Sequence, residues 1–143
     1  ERTQFHHECM QLQTALFCSA CQYVSQVLSE GNHLLASVQK YIDRHFCEAL
    51  TLKDIAAAVH VSPGYLSRFF RQKTGKTIMD TITSKKIEYA KHLLEEQNLK
   101  IFEVAQRTGF EDTTYFSHVF KKYSGVSAKA YQEQIQRRRN ERN

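Results

Sequence analysis

Two sets of side chains in this 143-residue chain have the types and the spacing to read a nucleic acid. Gly64, Ser67, Arg68 and Arg71 stand at i, i+3, i+4 and i+7, so a helix would gather them on one face, with Tyr65, Leu66, Phe69 and Phe70 on the apolar side. Thr114, Ser117, His118 and Lys121 repeat that face, with Tyr115, Phe116, Val119, Phe120 and Tyr123 as the apolar partners. A helix anchored by aromatics and presenting small polar and cationic groups suits the DNA major groove, which admits one helix and displays donors, acceptors and thymine methyls. Either helix alone is no more than a solvated face. Two that match position for position, each preceded by a short helix and a turn, point to DNA.

Other chemistry finds little footing. Cys18 and Cys21 form a C-x-x-C, with Cys9, Cys47, His6 and His7 elsewhere, a set that a metal or redox site would require to converge. There is no second C-x-x-C, and on a continuous helix Cys9 lies nearly opposite Cys18, so free thiols are expected and no metal or cofactor. The seven histidines are scattered, with no glycine-rich phosphate loop and no Ser, His and acid arrangement that spacing can support, so no catalytic residue is expected. The sheet motifs of single-stranded RNA binding are missing as well. Twenty Lys and Arg against fifteen acids give a formal charge of +5, compatible with a polyanionic partner. Nothing in the chain has the length or apolarity to cross a bilayer, and the first residues lack the grammar of a secretory signal, so a cytoplasmic protein without a membrane partner is expected.

The elements that must position these residues are helices. One proline and five glycines leave few breakers, and good helix formers fill the intervals. Residues 1–32 are expected to form a long helix, with Cys9, Leu12, Leu16, Ala20, Tyr23 and Val27 as a heptad-spaced seam, stopped by Gly31 and Asn32. It would serve as a connector or as the contact of a homodimer. An amphipathic helix from His33 to Phe46 should follow, then a short one from Leu52 to about Val59, opened by the capping pair Thr51 and Asp54. Ser62 and Pro63 should start the next helix, running to about Lys73, and Thr77 with Asp80 a longer one from Ile78 to Glu96, closed at Asn98. The pattern then recurs: Ile55, Ala56, Tyr65, Leu66, Ser67, Phe70 and Gly75 find counterparts in Val104, Ala105, Tyr115, Phe116, Ser117, Phe120 and Gly125, so one supersecondary unit is built twice. A last helix from Ser127 to about Gln136 should pack Tyr131 and Ile135 before a basic tail. The expected fold is all-α: a long N-terminal helix (1–32), a first helix-turn-helix subdomain with its linker helix (33–98), a second subdomain (99–137) and the tail (138–143).

From His33 to Gln136 the chain resembles the DNA-binding domain of the AraC/XylS family of bacterial transcription regulators. The resemblance is carried by L-T-L-K-D-I-A-A-A-V-H-V-S-P-G-Y-L-S-R-F-F (Leu50 to Phe70), K-T-G-K-T (Lys73 to Thr77), K-I-E-Y-A-K-H-L-L (Lys86 to Leu94) and I-F-E-V-A-Q-R-T-G-F-E-D-T-T-Y-F-S-H-V-F-K-K-Y-S-G (Ile101 to Gly125). It implies seven helices, two helix-turn-helix units and a rigid central helix. At about 1.5 Å per residue that helix is roughly 28 Å long, against about 34 Å between successive major grooves on one DNA face, so one chain can engage two grooves. It also implies base reading at Gly64, Ser67 and Arg68 and at Thr113, Thr114, Ser117 and His118. Arg68 is the foremost candidate, because its fork can bond two acceptors on a guanine edge. Lys73, Lys76, Lys121, Lys122 and the helix starts at Thr51 and Lys100 suit phosphates, and Arg71 suits either role. Lys86 stands where relatives usually have arginine, with a packing or phosphate role. Ala128 replaces a usual proline, and Gln132 an arginine after Tyr131. The expected function is sequence-specific regulation of transcription, with RNA polymerase as a further partner if the protein activates, and a sensing portion upstream.

Overall fold

The computed structural model describes residues 29–96 and 99–142, and the readings made for Cys9 to Val27 and for Asn98 lie outside them. Two compact units divide the chain, residues 1–38 and 39–143. The described part of the first, 29–38, is helical, and the helix continues to residue 45 (α1). This corrects the expected stop at Gly31 and Asn32, which both lie within the helix. A glycine inside a helix costs about 1 kcal/mol relative to alanine, too little to end one when amphipathic turns follow on its C-terminal side.

Six helices complete the second unit: α2 (Leu52–Ala58), α3 (Pro63–Thr74), α4 (Ile78–Glu96), α5 (Ile101–Arg107), α6 (Thr113–Ser124) and α7 (Ala128–Asn140). Among the described residues there is no strand. The repeat is real in three dimensions. Both α2 and α5 have 7 residues, both α3 and α6 have 12, and each longer helix ends on a left-handed glycine, Gly75 or Gly125. The turns match bond for bond: Val61 N–H donates to the Ala56 carbonyl at 3.0 Å, and Phe110 N–H to the Ala105 carbonyl at 2.9 Å. Ser62 and Asp112 then cap the second helices, accepting from the backbone N–H of Tyr65 at 3.3 Å and of Thr114 at 2.7 Å. Each cap satisfies a donor that the first turn of a helix leaves without a partner.

The spine between the two pairs is α4, whose bounds are those the capping pattern predicted. Its first half buries Ile78 and Ile82. Its second half contributes Ile87, Ala90, Leu93 and Leu94 to a core shared with Val104, Ala105, Phe110, Phe116, Val119, Phe120, Ala128 and Ile135. It packs against α3, α5, α6 and α7. Each large side chain so buried contributes about 1.5 to 3 kcal/mol, which makes this shared core the main force holding the second pair to the spine.

The last helix extends beyond the expected Gln136 to Asn140, so the start of the predicted basic tail is the last turn of α7, carrying Arg137, Arg138 and Arg139. Cations at that end meet the negative pole of the helix dipole, which favours the extra turn. Two of the three departures from the family pattern, both on α7, are accommodated there. Ser127 caps α7 without a following proline, Ala128 is buried, and Gln132 donates from Nε2 to the Leu99 carbonyl at 2.9 Å.

Candidate nucleic-acid interface

The first candidate face stands on α3, where Gly64, Ser67, Arg68 and Arg71 are all exposed while Leu66, Phe69 and Phe70 are buried. The alternation follows directly from the helical period: residues one turn apart share a side, and the aromatics take the inner one. Arg68 donates from Nε to the Gly64 carbonyl one turn earlier at 3.3 Å. That bond steadies the stem of the side chain and leaves the terminal amino groups of the fork for an acceptor outside the protein.

The second face stands on α6. Thr113, Thr114 and His118 are exposed and Ser117 is half-buried, its hydroxyl donating to the Thr113 carbonyl at 2.9 Å. Beneath them Phe116, Val119 and Phe120 are buried. Arg68 and His118, the paired outward residues of the repeat, are thus both at the surface.

Three tyrosines correct the sequence expectation. Tyr65, Tyr115 and Tyr123 were assigned to the apolar sides, yet they are 50%, 60% and 36% exposed. Two of the rings keep one side on the protein: Tyr65 stacks on Phe69 with centroids 5.9 Å apart, and Tyr115 lies 6.1 Å from Phe110, while Tyr123 meets Asp80. A phenol is amphipathic, and its hydroxyl stays with water when no buried partner is offered.

The expected phosphate contacts divide. Lys73, Lys76, Lys121 and Lys122 are exposed, with Lys73 beside Arg71 in the last turn of α3 and Lys121 and Lys122 in the last turn of α6. The helix starts at Thr51 and Lys100 are different. Thr51 closes a capping box: its hydroxyl donates to the Asp54 carboxylate at 2.6 Å, and its backbone N–H donates there at 2.9 Å. Those bonds, the side-chain one foremost, hold the Asp54 carboxyl below the usual carboxylate range. At Lys100 the backbone N–H donates to Glu103 at 2.8 Å. Both starts already hold an acid of their own, which disfavours a second anion there.

Lys86 is likewise turned to a structural task. Its ammonium donates to the Gly109 carbonyl at 3.0 Å and lies 5.2 Å from the centre of the Phe110 ring. The structure therefore favours packing over phosphate contact for this residue, because the half-buried stem delivers the charge to the turn and not to solvent.

Sequence reasoning missed what surrounds that turn. Asp112, which opens α6, and Gly109, in the turn at φ 77°, were not singled out. The signal was present: the repeat aligns Gly109 with His60, the one non-glycine residue of positive φ among those described. Asp80, in the first turn of α4, sits near Lys122 and Arg71. Its carboxyl is lowered chiefly by the Thr77 hydroxyl and also by those two cations. No helix among the described residues is long and apolar enough to cross a membrane, and those residues hold no group of three or more metal-ligating side chains. The C-x-x-C at Cys18 and Cys21 lies outside them.

An all-α unit of two helix-turn-helix pairs on a common spine, each offering an exposed polar helix face, defines the class. The helix-turn-helix domain family matches residues 55–134. The HTH-type transcriptional regulator YijO of Escherichia coli K12 is 37% identical over 110 residues, 76% of this chain and 38% of that protein. The C-terminal domain of AraT, a response regulator from Geobacillus stearothermophilus, is 37% identical with a TM-score of 0.68, covering 71% of this chain and 84% of that one. The DNA-binding domain of AdpA, a global transcriptional factor solved in complex with a target DNA, is 28% identical with a TM-score of 0.70, covering 74% and 96%. The chain belongs to the AraC-type helix-turn-helix family. It spans 38% of the length of YijO.

Proposed function

We propose that this chain is the sequence-specific DNA-binding region of a bacterial transcription regulator, placing α3 and α6 in successive major grooves. The observation that carries the reading is the duplication itself: two 12-residue helices with buried aromatic sides and exposed polar and cationic sides, mounted on a 19-residue spine. The AdpA domain, similar over most of this fold, is a DNA-bound relative. Gly64, Ser67 and Arg68 read bases from α3, and Thr113, Thr114, Ser117 and His118 from α6, while Arg71 serves either bases or backbone. Lys73, Lys76, Lys121 and Lys122 position the protein on phosphates. The protein works in the cytoplasm, regulating transcription through RNA polymerase if it activates, and residues 1–32 connect it to a sensing portion or to a second copy.

Selection from random duplex DNA, followed by mobility shifts on the recovered site, tests this. Wild type should bind with affinity that falls steeply with salt. Arg68→Ala should lose about 1 to 3 kcal/mol on the selected site and little on random DNA. Equal losses on both would remove Arg68 from base reading, and recovery of no preferred site would remove the function.

A further inference from the structure

The turn between α5 and α6 is gripped from two sides. From the spine, Lys86 in the middle of α4 donates its ammonium to the Gly109 carbonyl at 3.0 Å and lies over Phe110. From the other side comes the connection between α1 and α2: a β-carbon on Gly109 would meet the Cys47 carbonyl oxygen at 2.0 Å and its carbon at 2.8 Å. That backbone belongs to the approach to the first helix pair, and the turn belongs to the second. Gly109 is thus wedged where the two halves meet, and Lys86 holds it there.

The grip reaches α6 through Phe110. This ring is buried and packs 5.3 Å from Phe116 and 6.1 Å from Tyr115, both in the first turns of α6. We infer that Lys86 is a positioning residue for DNA specificity, fixing the set of α6 relative to α3 by tethering the turn to the spine. A helix of 12 residues is roughly 18 Å long, so a swing of about 10° at its start moves His118 by about 1 Å and Lys121 and Lys122 by roughly 2 Å. The first shift is enough to break a hydrogen bond of about 2.7 to 3.2 Å and the second is more than half the rise of about 3.4 Å per base pair, so the tether decides whether α6 meets its bases and phosphates in register when α3 is seated. The inference rests on the two-groove reading above.

Lys86→Met keeps an unbranched apolar stem and removes the donor and the charge, whereas Lys86→Arg keeps both. Amide residual dipolar couplings measured on the free 143-residue chain report the relative orientation of α2–α3 and α5–α6 without DNA. A single alignment frame is expected to fit both pairs in wild type and Lys86→Arg, and two frames to be needed in Lys86→Met. On DNA, wild type and Lys86→Arg should discriminate about tenfold between the selected site and one with a base pair inserted between its halves, the size expected for losing one charge-assisted bond. In Lys86→Met that ratio should approach one, with contacts to the α3 half unchanged in footprints. If Lys86→Met does not fold, Lys86→Gln, whose shorter uncharged end cannot make the same reach, is expected to show the same two losses. One frame and undiminished spacing discrimination in the uncharged variant overturn the inference. A wild type indifferent to spacing overturns the two-groove reading instead, and the couplings then judge the tether alone.

Discussion

His60 and Gly109 occupy the same place in the two turns, and they meet its demands differently. His60 holds φ 58° with a β-carbon, at a conformation that costs most L-residues about 1 to 2 kcal/mol. His60→Gly should therefore raise the melting temperature by a few degrees, corresponding to about 0.5 to 1 kcal/mol after the greater freedom of the unfolded glycine is subtracted. An unchanged melting point would mean that the histidine sits there without strain. Gly109 has no such latitude, since it combines φ 77° with the Cys47 carbonyl where a side chain would begin. Gly109→Ala is expected to cost about 2 to 4 kcal/mol, the sum of backbone strain and displaced packing. Gly75→Ala and Gly125→Ala, with nothing within 4 Å of the added carbon, should cost only about 1 kcal/mol. Urea unfolding of the three variants checks the ranking. Equal costs would show that the Cys47 contact relaxes freely.

At the scale of elements, α7 is fastened to the end of α4 by more than apolar packing. The Tyr131 hydroxyl donates to Glu95 at 2.5 Å, and its ring lies 5.7 Å from Phe120. Burial foremost, and then this bond and the carboxylate charge, push the Tyr131 phenol from 10.0 up to about 12. The sign follows from linkage. Above pH about 10 an unfolded phenol begins to release its proton while the folded one keeps it, so stability present below that pH is lost as pH rises towards about 12. Tyr131→Phe should remove this contribution. Comparing urea midpoints at pH about 9 and about 11, wild type should lose more than the variant, and parallel losses would show that the phenol titrates normally. The same region gathers Glu95, Ile135, Arg138, Arg139 and Arg142 around a shallow surface pocket. Those arginines are exposed helix-end cations, and they suit the end of α7 for the dipole reason already given.

The whole molecule carries +5, and its electrostatic behaviour should follow from where the exposed cations stand. Each phosphate contact adds about 0.9 to the slope of log affinity against log salt on duplex DNA. Lys121→Ala combined with Lys122→Ala is expected to lower that slope by about two and to weaken selected and random DNA alike. An unchanged slope would place both lysines away from the backbone. Lys86→Ala, by contrast, should leave the slope unaltered, because its ammonium is engaged at Gly109. Exposure alone therefore does not sort these cations; their partners do.

Much of this architecture was legible from residue order. The bounds of α4, the caps at Thr51 and Ser62, the twin glycine stops and the alternation of inner and outer positions on α3 and α6 all follow from interactions within a few residues, which spacing records faithfully. The stop at Gly31 and the length of α7 were misjudged because the small cost of a helical glycine and the favourable helix-end arginines were weighed wrongly, and the burial of three tyrosines because it depends on what the rest of the chain offers to each ring. The phosphate roles expected at the Thr51 and Lys100 helix starts failed for a local reason, since Asp54 and Glu103, three residues on, already fill them. The sequence by itself determined the family, the two matched helices and the residues on their outer faces, since a helix fixes which side chains share a side. Only the tertiary structure decided that Lys86 turns inward to the α5–α6 turn and that Gly109 is pressed against Cys47, because residues far apart in the chain meet only once the helices have packed.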